Sequence, residues 1–373
     1  MFIRISFLSS FISIVSCVLG QTIAVDSDKP QYHKRVVALG DLHGDYNNTL
    51  EALRLGKVID SRGNWAGGST TLVQVGDIFD RANDTIQIFE LLDKLRLQAP
   101  LAGGKVLTHI GNHEMMNLLG DWRYVDEAEI ETFGGVEKRY EAIAHGQIGQ
   151  TLRKNYRITT RLPLHPAAGK LENDFDPAST STSNLSHAAL SFVHGGLAFG
   201  LPGLTPYPSY LNNLGASLVK KLTERTELPQ PYPPSTERPT LPETVTQEEI
   251  TFNGAEGPYW ARDWALTDDS DELCQQAVEV LNSIGCERML MGHTPLDYIM
   301  FTRCNAKIVI VDTGISRGMM DAPSALEIIY TLTPTKTRRT WVEKQVGTAF
   351  YRNDTTQLWS DAKEVVGDFE VWH

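Results

Sequence analysis

Val36-Val37-Ala38-Leu39 runs straight into Gly40-Asp41-Leu42-His43-Gly44, and this stretch decides how the rest is read. A short, wholly apolar, β-branched run is the pattern of a strand buried on both faces. The glycine that follows lets the backbone turn sharply and carry Asp41 and His43 to the sheet edge. The arrangement recurs five more times. The run at 71–75 leads into Gly76-Asp77-Ile78-Phe79-Asp80-Arg81, and the run at 106–110 into Gly111-Asn112-His113-Glu114. The runs at 190–193, 288–291 and 308–311 lead into His194-Gly195-Gly196, Gly292-His293-Thr294 and Asp312-Thr313-Gly314. Open α/β sheets bind ligands beyond the carboxyl ends of their strands, so six such turns predict one site on one edge. Helical spacing is expected over 48–56, 84–97 and 271–281, and over 127–152 with an interruption at Gly134-Gly135. Helices alternating with buried strands predict an α/β sandwich.

Asp-x-His at 41–43, Gly-Asp-x-x-Asp-Arg at 76–81, Gly-Asn-His-Glu at 111–114 and two later histidine turns follow in a fixed order. In that order they resemble the PPP-type metallophosphoesterases of the calcineurin-like superfamily, and within them the Shewanella-like protein phosphatases. Gly-Pro-Tyr-Trp-Ala-Arg at 257–262, Gly-His-Thr-Pro at 292–295 and Asp-Thr-Gly-Ile-Ser at 312–316 extend the resemblance, which covers residues from about 35 to about 330. It implies a calcineurin-like α/β sandwich with metal ligands on loops at strand carboxyl ends. By position, Asp41 and His43 would hold one metal, Asp77 would bridge, and Asn112, His194 and His293 would complete the second. Carboxylate, amide and imidazole donors without thiolate suit Mn, Fe or Zn, with Mn expected. Two metals about 3.5–4 Å apart activate a water for in-line displacement at phosphorus.

The same resemblance assigns Arg81 and Arg262 to the phosphate, which a guanidinium grips by two oxygens at once. It makes His113 the proton donor to the leaving alkoxide, with Asp80 orienting it and raising its pKa. Cys274, Cys286 and Cys304 lie outside the motifs, so attack by a hydroxide held between the two metals is expected rather than a covalent intermediate. The implied function is a secreted phosphoprotein phosphatase acting on phosphorylated Ser/Thr or Tyr. The alternatives are a small-molecule phosphoesterase or dinucleoside polyphosphate hydrolase, and a non-catalytic binding protein on the same fold. Asp312 is expected to anchor a loop, and Tyr259 and Trp260 to pack beneath Arg262. Asp45 and Glu114 are open between supporting the metals and purely structural work. His33, His109, His145, His165 and His187 receive no role.

The 373 residues carry a formal charge of −12, which argues against a nucleic-acid partner because phosphate backbones call for basic patches. Residues 1–20 have a short basic start, an apolar stretch and small residues at the end, the pattern of a signal peptide; an uncleaved anchor is the alternative. Residues 21–34 read as a loose segment, 35–345 as one catalytic domain and 346–373 as a C-terminal segment. Polar 165–187 and Pro-rich 228–244 read as surface insertions. Secretion fits Asn-x-Ser/Thr triplets at Asn47, Asn83, Asn184 and Asn353, with Asn83 expected bare beside the metal loops. With Cys17 in the signal, three cysteines remain. A helix from residue 271 separates Cys274 from Cys286, leaving Cys286–Cys304 or three free thiols.

Overall fold

A computed structural model describes residues 32–369 except 172, 176, 178–184, 202–203 and 226–238. The expected signal peptide, the triplet at Asn184 and most of the Pro-rich stretch lie outside the described residues. All six apolar runs are strands. In chain order the strands are β1 (Tyr32–Leu39), β2 (Thr71–Gln74), β3 (Lys105–His109), β4 (Tyr156–Arg157), β5 (Thr159–Pro163) and β6 (Ala189–Val193). They continue with β7 (Arg288–Met291), β8 (Phe301–Arg303), β9 (Ile308–Ile310), β10 (Ser324–Pro334), β11 (Thr340–Tyr351) and β12 (Thr355–Val366).

Two mixed sheets result, one ordered β12-β11-β10-β1-β2-β3-β4 and the other β5-β6-β7-β9-β8. The two-residue period of a strand explains the layering. Val36 and Ala38 join Phe192, Leu290, Val309, Leu326 and Ile328 in the core between the sheets. Val37, Leu39 and Leu72 point the other way, onto Leu53, Ile88 and Leu92. Those last three belong to helices α1 (Tyr46–Leu55) and α2 (Thr85–Gln98), which cover the outer face of the larger sheet. The short helix α3 (Asn112–Leu119) follows β3 directly. The stretch expected as one interrupted helix is three: α4 (Glu127–Phe133), α5 (Val136–Ala144) and α6 (Gln147–Asn155). Gly134 and Gly135, at φ 85° and 114°, make the first break. Gly146 makes a second that apolar spacing did not reveal. There a Cβ would meet the Ala142 Cα at 2.9 Å, so the chain closes too tightly for a side chain. Helices α7 (Ser209–Thr223), α8 (Gln247–Phe252), α9 (Asp263–Leu266) and α10 (Asp271–Ser283) complete the set.

The cysteines differ from expectation. Cys274 is bonded to Cys304, with Cα atoms 5.1 Å apart, while Cys286 is a buried free thiol. Cys274 stands in the first turn of α10, which lies against the turn after β8. Cys286 lies beyond the far end of α10, beside Arg161. Sequence adjacency to strands misled, because the helix start rather than its end meets Cys304. Two boundaries also fall inside elements. Tyr32–Lys34 already belong to β1, and β11 runs through position 346, pairing with β10 and β12, so the chain to Val366 is part of the larger sheet.

Among the described residues no helix is long and apolar enough to cross a membrane.

Candidate active site

The turns after β1, β2, β3, β6, β7 and β9 meet at one edge of the sandwich and bury their polar side chains. Asp41, His43, Asp77, Asp80, Asn112, His113, His194 and His293 are each at most 5% exposed. Turning that tightly strains the chain. His43, Asp77, Asp80, Arg81 and His293 all adopt positive φ, between 40° and 71°, which L-residues visit rarely and which clusters at functional sites. Close approach is the second requirement. A Cβ on Gly111 would sit 2.1 Å from Asp77 Oδ1, and one on Gly292 would sit 2.3 Å from Asp41 Oδ1.

Hydrogen bonds to carbonyls fix the imidazoles. His43 Nδ1 donates to Phe79 O at 2.8 Å, His194 Nδ1 to Val75 O at 3.0 Å and His293 Nε2 to Trp260 O at 3.1 Å. A carbonyl can only accept, so one ring proton of each is committed there and the other nitrogen is turned to the cluster. For His194 that nitrogen, Nε2, is 3.2 Å from Asp77 Oδ2 and 3.0 Å from Asn112 Oδ1. For His43 it is 3.8 Å from Asp77 Oδ2 and 3.9 Å from Asp41 Oδ2. Asp77, His194 and His293 bring one donor atom each within 4.8 Å of one another, and so do His43, Asp77 and His113. Imidazole nitrogens, an amide oxygen and carboxylates thus face each other at short range, and divalent cations fit this donor set.

Electrostatics say the same. Burial, then Asp312 and Asp77, hold the Asp41 carboxyl well above its usual range. Burial also raises Asp77, but His194, His113 and His43 outweigh it and hold that carboxyl well below. Burial and the neighbouring His113 bring His43 down to about 4. Burial, His194 and Arg262 put His293 well below its ordinary value, so both rings are neutral and able to ligate at pH 7.

His113 sits apart from these three. Its Nδ1 donates to Asp80 Oδ2 at 2.5 Å, and its Nε2 faces Asp77 Oδ2 at 3.8 Å. Burial lowers its pKa, but Asp77 and Asp80 more than offset that and raise it. Asp80 is held in turn by Asn117 Nδ2 at 2.9 Å and by the fully buried Arg139 at 3.8 Å. Arg81 lies over the Tyr124 ring at 4.0 Å, and its buried Nε has no hydrogen-bond partner. Arg262 is exposed and donates from Nη1 to His293 O at 2.6 Å and Thr294 Oγ1 at 3.0 Å.

Calcineurin-like phosphoesterase is the family whose profile matches residues 34–230. The chain belongs to the calcineurin-like phosphoesterases. Shewanella-like protein phosphatase 2 of Arabidopsis thaliana is 30% identical over 329 residues, covering 81% of this chain and 76% of that protein. An uncharacterized protein of Schizosaccharomyces pombe is 30% identical over 305 residues, covering 80% and 79%. The cold-active protein-tyrosine phosphatase of a psychrophilic Shewanella shares the fold, with TM-score 0.61 and 24% identity over 87% of this chain and 80% of that one. Phosphatases of the Shewanella-like type are therefore relatives of this calcineurin-like chain, as the motif order implied.

Further residues shape the phosphoesterase site, some left open by the sequence and some without any signal in it. Glu114 accepts the N–H groups of Asp77, Ile78 and Gly111 at 2.7–2.8 Å, so one carboxylate ties two ligand loops together. Asp312 hydrogen-bonds Asp41 and accepts from Gly314 N, which is loop anchoring. Asp45 caps α1 and pairs with Arg317 at 2.9 Å. Arg317 also donates to Asn83 Oδ1 at 2.6 Å. Asn117, four residues from His113 on α3, was findable from helical spacing. Arg139 and Tyr124 carried no local signal.

Proposed function

We propose that this chain is a metal-dependent phosphomonoesterase that acts on phosphoproteins, with Asp41, His43, Asp77, Asn112, His194 and His293 holding two divalent ions, Mn first among them. The observation that carries this reading is the convergence on His194 Nε2 of Asn112 Oδ1 at 3.0 Å and Asp77 Oδ2 at 3.2 Å, a buried donor set of the kind divalent ions take. When bound, such ions supply an acidified water for in-line attack and charge to neutralise phosphoryl oxygens. The protein's own groups do the rest. Arg262 presents its guanidinium at the open side, and Arg81 offers an uncommitted N–H, so both can grip phosphate oxygens. His113, with Nδ1 occupied by Asp80, delivers a proton from Nε2 to the departing alkoxide. Asn117 and Arg139 hold Asp80 in place for that task.

Passage through the secretory pathway belongs to the same proposal. It is supported by the apolar N-terminal sequence and by the Cys274–Cys304 bridge, since disulfides persist in oxidising compartments. Release of inorganic phosphate from seryl, threonyl and tyrosyl phosphopeptides, set against diadenosine tetraphosphate, tests the substrate class. Faster turnover of phosphopeptides is expected; a preference for the dinucleotide would reassign the protein to small-molecule hydrolysis.

A further inference from the structure

A cavity of about 570 Å³, lined by none of the proposed metal ligands, lies where β3, β4 and β5 meet α6 and α7. Six cationic side chains line it: Arg96, Lys105, Arg153, Lys154, Arg157 and Lys220. In a chain of net charge −12 this is a marked local reversal of sign. Among the described residues the one acidic residue lining it, Asp174, is already engaged, accepting from Ser209 N at 2.8 Å and Ser209 Oγ at 2.7 Å. Ion pairs neutralise the cations only in part. Arg96 pairs with Asp93, and Lys220 makes an exposed contact of 3.6 Å with Glu224, a kind of pair worth little. Arg153 donates to the Ala144 carbonyl at 2.7 Å, and among the described residues Lys105, Lys154 and Arg157 have no acidic partner. The field reaches a neighbour. Burial and then the charge of Lys105 bring the Lys34 ammonium down to about 8.

The cleft also exposes a strand edge. β2 pairs with β3 along 105–108, whereas β4 covers β3 only at Thr108 and His109. Among the described residues no strand pairs with 105–107 on the cleft side, so backbone there is open to an added strand. The cleft's size is that of a ligand pocket rather than a single-ion site.

We propose that this cleft is a docking groove for an extended acidic segment of a partner protein, held by its six cations and by the open edge of β3. Acidic side chains complement the cations, and an extended backbone complements the strand edge. The cleft follows β3 as far as Ile110, two residues before Asn112. A partner docked here could therefore reach the phosphoesterase edge through a short linker. The proposal concerns a separate surface and does not depend on which phosphate ester is hydrolysed.

Fluorescence anisotropy with a labelled twelve-residue peptide rich in Glu and Asp, titrated with the full chain, tests it. Binding should weaken with added salt. It should also fall at least about tenfold in Lys105→Glu/Arg157→Glu, the size expected for reversing charges that face a complementary partner. Lys336→Glu/Lys344→Glu makes the same change in net charge on a distant exposed surface and should leave binding within about twofold. Turnover of p-nitrophenyl phosphate should be unchanged in both, which reports that the fold survives; if the first does not fold, Lys154→Ala should still weaken binding severalfold. Equal losses in both double variants would overturn the proposal as general electrostatics. It would also fail if the wild-type chain bound pyrophosphate or phosphatidylserine vesicles through these residues but not the peptide.

Discussion

Glu249 and Asp41 are buried alike, at 1% and 2% exposure, yet their carboxyls are driven in opposite directions. Glu249 ends the first turn of α8 and accepts Thr246 N, Lys221 Nζ and Ser217 Oγ, each at 2.7 Å. Burial pushes it up, but the bond to Lys221 and those to Ser217 and Thr246 prevail and bring it down to about 2. Asp41 receives the His293 N–H, at 3.1–3.2 Å, and faces the carboxyls of Asp312 and Asp77 instead of a lysine or arginine. One carboxylate is a finished structural element. The other belongs to a cluster of acceptors whose chemistry suits divalent ions. Burial alone therefore says nothing about role; the partners do.

The comparison is sharpened most by exchanging a residue on the catalytic side. General acid catalysis is worth about 10²–10⁴-fold, and most for a poor leaving group. His113→Asn should therefore cut turnover of a seryl phosphopeptide by that order and turnover of p-nitrophenyl phosphate far less, with thermal stability little changed. Asp80→Asn should show the same skew more weakly. Equal losses on both substrates would mean that His113 acts through the metals or the fold.

Arg262→Ala should have a smaller effect, weakening inhibition by inorganic phosphate about tenfold or more, as loss of a charge-assisted contact does, while metal content stays intact. Unchanged phosphate inhibition would place Arg262 outside the substrate's reach. On the structural side, Glu249→Gln should leave turnover and metal content alone and cost about 1–3 kcal/mol at pH 7, the usual effect of spoiling buried charged hydrogen bonds. The sign in acid follows from linkage. A carboxyl depressed to about 2 on folding contributes stability above its unfolded pKa of about 4.3, and that contribution fades as pH falls toward 2. Urea midpoints of the variant and the parent should thus converge between pH 5 and pH 2. A gap that stays constant would show that Glu249 is not ionised as described.

Much of the fold was legible because its strands are short and apolar on both faces, and because each ends in glycine. Gly111 and Gly292 admit no Cβ, so the close approach that builds the site is written as residue identity. What stayed hidden depends on distant parts of the chain meeting. The bridge from Cys274 to Cys304 needs the start of α10 to lie beside the turn after β8. Arg139 reaches Asp80 because the break at Gly134-Gly135 lets α5 turn back against α3. The strands β11 and β12 were hidden for another reason. One face of β12 is open, so its sequence is mostly polar and lacks the buried-strand signature.

The central claim is that the buried acceptors are metal ligands, with Asp77 shared. Elemental analysis of the purified parent and of Asp77→Asn, prepared side by side, tests it most directly. The account predicts about two transition-metal ions per parent chain, as a two-metal centre requires, and loss of metal and phosphate release together in the variant. Full metal content with turnover retained in Asp77→Asn would contradict it.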